Sequence, residues 1–387
     1  MTFGNYQFEV YLKGMGGQTP DFPMSWADLE AQASAAMEVG ARGYVFGSAG
    51  TEDTERENRA AFARHRIVPR MLRDVAVRDL RTTILGVQHD APVLLAPVGV
   101  QSIVHPDGEL AAARGASAAG IGFVASTAAS YSMEEIAAAG ADVPRWYQLY
   151  WPKDPELTAS FVTRAEAAGY GAIVVTLDTG LLAWRPRDLQ TAYLPFLKSV
   201  GIANYLSDPV FRGALAQPPE DNPTAAVLQF VAVFSNPAVT WADLAALREM
   251  TRLPILLKGI LHPDDARLAR DHGVSGVVVS NHGGRQVDGA IAALDALPDV
   301  VDAVGDELEV LFDSGIRCGA DVVKAIALGA RAVLLGRPYL WGMALGGADG
   351  VTQVLRNLLS EIDLTLALSG HASLRTVNRE MLRGLGA

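Results

Sequence analysis

From Ala91 onward the chain repeats one pattern: a short uninterrupted apolar run, a loop, and usually an alanine-rich stretch before the next run. The runs are Pro92–Ala96, Gly122–Ser126, Trp146–Tyr150, Ala172–Thr176, Pro254–Lys258, Gly276–Ser280, Glu309–Asp313 and Ala332–Leu335. Four or five apolar positions without polar alternation predict strands buried on both faces, as in a parallel sheet. Between them, Gly108–Ala119, Pro155–Ala168, Pro263–His272 and Gly319–Ala327 carry the period of amphipathic helices. Eight such units predict an α/β fold, a (β/α)8 TIM barrel. An open doubly wound sheet would place a glycine-rich phosphate fingerprint after its first strand, and Pro97-Val-Gly-Val-Gln-Ser lacks that spacing.

The segments outside the repeat divide the chain further. Residues 1–90 read as a helical cover over a barrel at 91–345, and 346–387 as a C-terminal helical segment, all in one domain. Ser25-Trp-Ala-Asp28 and Thr240-Trp-Ala-Asp243 are capping patterns that predict helix starts. The first helix is expected to run through Ala31 to Val39 and end at Gly40, with Ala41–Gly50 a glycine-rich turn that holds Tyr44. Residues 51–90 are charged and read as an extension whose charges face solvent. After the fourth run, 186–240 is too long for an ordinary connection and predicts a lid or an assembly surface.

Composition narrows the function. With 387 residues, half of them hydrophobic, the chain can bury a large core. A net charge of −11 disfavours nucleic acid and anionic membranes, which call for basic patches. Cys318 is the single cysteine, so neither an intrachain disulfide nor a cysteine-based metal site is expected. No run reaches the ~18 apolar residues of a membrane span, and no leader pattern opens the chain. A soluble protein of the reducing cytoplasm fits these features.

In a barrel the C-terminal ends of all strands meet in one mouth, so the residues there form a single set. It contains Pro97, Gly99, Gln101, Ser126, Gln148, Tyr150, Thr176, Asp178, Arg185, Lys258, Ser280, His282, Arg285, Asp313, Arg317 and Arg337. Arg317 and Arg337, beside Gly315 and Gly336, fall on the last two strands, the usual phosphate corner, which implies a phosphate-bearing cofactor. Surface ion pairing is the plainer reading of each arginine. Lys258 ends a buried strand and needs an anionic partner, such as a flavin that becomes anionic on reduction. His282, in Ser280-Asn-His-Gly-Gly-Arg-Gln-Val-Asp288, is a candidate base with Asp178 as its orienting carboxylate. A strand-end histidine is also commonly structural. Arg185 and Arg285 offer planar forks for a substrate carboxylate. Tyr44 and Tyr150 offer hydroxyls to the same substrate, unless they are core aromatics.

These motifs carry a resemblance. The chain resembles the FMN-dependent L-2-hydroxy acid oxidases and dehydrogenases from about Met37 to Arg379, through SNHGGRQVD at 280–288, LPILLKG at 253–259, DSGIRCGADVVKAIALGA at 313–330, LLGRP at 334–338 and YQLY at 147–150. The resemblance implies His282 as base, Asp178 as its partner, Arg185 and Arg285 on the substrate carboxylate, and Tyr44 and Tyr150 against the substrate. It implies FMN held by Pro97, Val98, Gly99, Gln101, Ser126, Gln148, Thr176, Lys258, Ser280, Asp313, Gly315, Arg317, Gly336 and Arg337. It also implies a homo-oligomer, a tetramer or octamer.

Within that family, ARGYVFGSAGTE at 41–52, LDTGLLAWRPRDL at 177–189 and the insertion resemble the lactate 2-monooxygenase branch. That likeness implies L-lactate and oxygen as substrates, with acetate and carbon dioxide as products. Gly99 replaces the alanine of many oxidases and leaves the electron acceptor open. Ala128, where glycolate oxidase has tryptophan, and Leu181-Leu182 imply a wide apolar pocket. An oxidase releasing the 2-oxo acid with peroxide, a quinone-linked dehydrogenase and a non-catalytic flavin-binding protein are the competing classes. The quinone-linked class needs an anchoring face, and Tyr193–Leu206 is short, holds a proline and carries one lysine.

Overall fold

The computed structural model describes residues 3–384. The eight apolar runs form eight parallel strands: β1 Val93–Leu95, β2 Gly122–Ser126, β3 Arg145–Leu149, β4 Ile173–Thr176, β5 Ile255–Ile260, β6 Gly276–Val279, β7 Glu309–Phe312 and β8 Ala332–Leu335. They close in sequence order, with β8 pairing back to β1, into a (β/α)8 barrel. Alternation along each strand divides two cores. Leu94, Val124, Trp146, Val174, Leu256, Val278, Leu311 and Leu334 fill the barrel interior. Their neighbours, including Leu95, Phe123, Val175 and Val279, face the surrounding helices. The four anticipated helices appear as Gly108–Ala118, Pro155–Ala167, Pro263–Asp271 and Gly319–Ala327.

The N-terminal part differs from the expectation. Ser25 caps a helix at Trp26–Ala36, which ends at the extended Met37 rather than at Gly40. Val39–Phe46 is then a separate helix, so Tyr44 sits on a helix and not in a turn. A hairpin, Thr82–Ile84 with Val87–His89, pushes Ile84 into the interior core and so plugs the barrel. Nor do all charges of 51–90 face solvent. Arg78 pairs with the fully buried Asp363, and Arg59 with the buried Asp321, because these arginines tie the cover to the helices beneath.

The insertion folds into short helices, Pro186–Gln190, Ala203–Leu206, Pro209–Gly213 and Pro223–Phe234, beside the barrel mouth. An aromatic cluster holds it there. Phe230 lies 4.9 Å from Tyr205 and 4.8 Å from Phe234, and Phe234 lies 5.3 Å from Tyr150 at the end of β3. The last helix, Arg337–Leu368, is interrupted at Gly346-Gly347 and packs against the Gly108–Ala118 helix.

Candidate active site

The mouth of the barrel is a cleft, and its chemistry begins where β6 ends. His282, Gly283 and Gly284 all take positive φ, 57°, 65° and 78°. This left-handed turn reverses the chain at the strand end. A side chain at 284 would meet the Glu55 backbone nitrogen at 2.7 Å, so glycine is required there. The turn presents His282 Nδ1 to Asp178 Oδ1 at 2.7 Å. Thr179 Oγ1 donates to the same carboxylate oxygen at 2.9 Å. With Nδ1 facing a carboxylate, the ring holds its hydrogen on Nδ1 and leaves Nε2 as the acceptor. Burial lowers the His282 pKa below its ordinary value despite the opposing pull of Asp178, with Lys258 and Arg185 adding to the lowering. Asp178 resists burial and is held down at about 2 by His282 and Lys258. At neutral pH the pair is therefore a neutral imidazole beside a carboxylate, the state of a general base.

Two arginines stand beside this base. Arg185 Nε donates to the Arg285 carbonyl at 3.0 Å and its Nη2 to Gln286 Oε1 at 2.6 Å. Arg285 Nη1 donates to the Tyr44 and Gly47 carbonyls, each at 2.6 Å, and its guanidinium stacks on the Tyr44 ring at 5.1 Å. These contacts commit one part of each fork and fix its plane. Burial and the neighbouring Arg185 lower Arg285 to about 10, still charged at neutral pH. Two buried cations side by side are costly, and an anionic ligand would offset that cost. Tyr44, Tyr150, Ala128, Leu182, Phe196 and Phe234 line the same cleft.

Next to this arginine pair Arg317 and Arg337 form a cationic corner after β7 and β8, and Arg337 shares the Gly47 carbonyl with Arg285. Arg337 donates to the Val45 and Gly283 carbonyls at 3.2 and 3.1 Å and to Ser48 Oγ at 2.8 Å. Arg317 stacks on Trp341 at 5.0 Å. Burial and Arg317 lower Arg337 to about 9, and burial lowers Arg317 as well. Glu55 brings a carboxylate to both, 3.3 Å from Arg317 and 4.0 Å from Arg337. One carboxylate beside two arginines leaves the corner a net positive charge, suited to an anion with several oxygens such as a phosphate.

The floor of the cleft also fits a flavin. Gln101 Nε2 donates to the Val98 carbonyl at 2.8 Å and to Tyr339 at 3.0 Å, which leaves its buried Oε1 without a partner among the described residues. Gln148 is the converse: Oε1 accepts from Ser126 Oγ and the Thr127 backbone at 3.0 and 3.2 Å, and its buried Nε2 is the atom left over. One orphaned acceptor and one orphaned donor match the alternating groups of an imide-like ring edge. Lys258 has the anionic partner that its burial calls for within the protein itself. Its Nζ is 3.0 Å from Asp313 and donates to Ser280 Oγ at 2.9 Å, because β5, β6 and β7 bring the three strand ends together. Burial would lower the lysine, but Asp313 and Asp178 raise it above its ordinary value, so it is charged.

The cleft wall thus collects Tyr44, Pro97, Val98, Gly99, Gln101, Tyr150, Arg185, Lys258, His282, Arg285, Asp313, Gly315, Arg317, Gly336 and Arg337. Ser126, Gln148 and Ser280 are buried and are not part of that lining, Gln148 keeping its unpartnered Nε2, and Thr176 and Asp178 line an adjoining cavity between β4 and β5. Sequence reasoning passes over Thr179, Gln286, Ser314 and Glu55. Thr179 and Gln286 flank residues already singled out. Gln286 Nε2 also donates to the Asp178 carbonyl at 2.6 Å, linking the carboxylate loop to the arginines. Asp288, at the end of the same motif, is structural, since it accepts from the backbone of Thr51, Asp53 and Thr54 and caps the helix that carries Glu55.

A histidine with its carboxylate, a pair of forks and a cationic corner meet in one mouth, an arrangement that suits a barrel flavoenzyme. Comparison with known proteins agrees. Residues 33–384 match the family of FMN-dependent dehydrogenases. The chain is 42% identical to an L-lactate oxidase of Lysinibacillus sphaericus over 95% of both chains. It is 44% identical to an FMN-dependent alpha-hydroxy acid dehydrogenase of Schizosaccharomyces pombe, covering 98% of this chain and 96% of that one. Among solved structures, mandelate oxidase superposes with a TM-score of 0.82 at 40% identity, over 93% of this chain and 98% of that one. The chain belongs to the FMN-dependent dehydrogenase family and is an FMN-dependent 2-hydroxy acid oxidoreductase.

Proposed function

We propose that this enzyme oxidises L-2-hydroxy acids with apolar side chains, L-lactate among them, and that oxygen reoxidises the flavin. The observation that carries the substrate reading is the mixed lining of the cleft, in which Arg185, Arg285 and His282 share one cavity with the apolar Ala128, Leu182, Phe196 and Phe234. A carboxylate docks on the arginines, the 2-hydroxyl lies at His282, and the side chain meets the apolar wall. His282 Nε2 takes a proton from the substrate, and Asp178 stabilises the resulting imidazolium. Bound FMN supplies the two-electron acceptor. Lys258, charged and fixed by Asp313, offers positive charge to the cofactor side of the cleft. Arg317 and Arg337 hold the phosphate.

Oxygen as acceptor is supported by the oxidase names of relatives, among them the L-lactate oxidase above. Among the described residues no helix is long and apolar enough to cross a membrane. The insertion beside the mouth supports a lactate 2-monooxygenase outcome, in which pyruvate is retained until hydrogen peroxide converts it to acetate, carbon dioxide and water. The test is aerobic turnover of L-lactate with oxygen, pyruvate, peroxide and acetate all measured. Oxygen uptake with acetate equal to lactate consumed is the expected result. Pyruvate and peroxide in equal amounts replace the monooxygenase outcome with a simple oxidase, and no oxygen uptake removes oxygen as the acceptor.

A further inference from the structure

One buried carboxyl near the site has no part in the chemistry above. Glu109 stands at the start of the Gly108–Ala118 helix and is 2% exposed, with no cation beside it among the described residues. Its Oε1 accepts from the backbone N–H of Gln101 at 2.9 Å. Its Oε2 is buried without a hydrogen-bond partner among the described residues, and Ser130 and Tyr339 lie near enough to act on the carboxyl electrostatically. Burial of such a group needs a reason, since an isolated carboxylate is expensive away from water.

The loop it grips supplies that reason. Residues 97–101 follow β1 and line the cleft. Val100 within them takes φ 62° and ψ 40°, a left-handed conformation that a β-branched residue rarely adopts. Such a conformation persists only where its surroundings over-determine it. Two bonds do so here: Val100 N–H donates to the Ala128 carbonyl at 2.8 Å, and the next N–H, that of Gln101, donates to Glu109. The same residue, Gln101, carries the buried Oε1 left without a partner.

We propose that Glu109 is a positioning residue for the cofactor: by fixing the Gln101 backbone it holds the strained loop in place and keeps the free Gln101 oxygen directed at FMN. Glu109 itself does not touch the flavin. Burial pushes its carboxyl up to about 7, which agrees with a group held for its hydrogen bond rather than its charge. The inference depends on FMN as cofactor and not on the electron acceptor or the acid oxidised.

The experiment titrates FMN into the apoprotein, following flavin fluorescence, and records the absorption spectrum of the bound flavin. Glu109→Asp keeps the charge but withdraws the oxygen by one methylene. It is expected to weaken FMN binding by up to about tenfold, the limit reached when the whole hydrogen bond serves to hold the loop in its FMN-binding form, and to shift the bound spectrum. Glu109→Gln retains an acceptor oxygen and is expected to restore both. Gln101→Ala alone should shift the spectrum likewise, and adding Glu109→Asp to it should cost little more, since Glu109 acts by way of the Gln101 backbone on the Gln101 side chain. Wild-type affinity and spectrum in Glu109→Asp, or effects of the two substitutions that add in full, would overturn the proposal.

Discussion

His282 Nδ1 and Asp178 Oδ1 lie 2.7 Å apart, although 104 residues separate them in the chain. The contact joins the end of β4 to the end of β6 and sets the chemistry of the cleft. It fixes which imidazole nitrogen is free and makes the free one a base.

Replacing His282 with Gln removes the base while keeping polar bulk. Reduction of the flavin by substrate is expected to fall by at least about a hundredfold, with FMN still bound. Asp178→Asn frees the ring to adopt the wrong tautomer and is expected to cost between about a hundredfold and ten-thousandfold. Rapid-mixing absorbance under nitrogen measures both, and wild-type rates in either variant contradict the assignment.

The depressed pKa of His282 sets the direction of the pH profile. A base must be unprotonated, so kcat/KM is expected to fall as pH drops through the His282 pKa, at a value below 6.5. In Asp178→Asn the raising influence of the carboxylate is lost, and that limb is expected to move to still lower pH. A limb above 6.5 in the wild type runs against burial as the dominant influence.

Arg285→Lys exchanges a fork for a point charge. A substrate carboxylate then loses a charge-assisted hydrogen bond, with an expected rise in KM of about ten- to a hundredfold. Steady-state kinetics with L-lactate report it, and an unchanged KM places the carboxylate elsewhere.

Glu55 sets an opposite expectation. Its carboxylate shares the corner with Arg317 and Arg337, where a phosphate brings like charge. Glu55→Gln is expected to tighten FMN about threefold or more, and to destabilise the apoprotein, whose two arginines then repel with less screening. Calorimetric titration together with thermal unfolding of the apoprotein separates the two effects. Weaker FMN binding would show that Glu55 supports the arginines rather than competing with the cofactor.

Much of this is legible in the sequence because barrel strands are buried on both faces. Their runs stand out as unbroken apolar stretches, and in a barrel every strand end converges on one mouth. What escapes has physical causes. Val39–Phe46 contains two glycines, which weaken a helical signal, yet tertiary packing makes it a helix and gives Tyr44 its direction. Lys258 reads as a cofactor's partner from sequence because Asp313 is a neighbour only across β6. The Glu55–Arg317 pair spans 262 positions and follows no local pattern. Phe196 and Phe234 reach the cleft through the aromatic packing of an insertion whose path no periodicity foretells.

Anaerobic mixing of the FMN-loaded enzyme with L-lactate tests the role of His282 most directly. The wild type is expected to lose the yellow flavin absorbance, to bleach in the same way with larger apolar L-2-hydroxy acids, and to bleach almost not at all as His282→Gln. A flavin that stays oxidised with every L-2-hydroxy acid, or bleaches equally fast without His282, would contradict this mechanism.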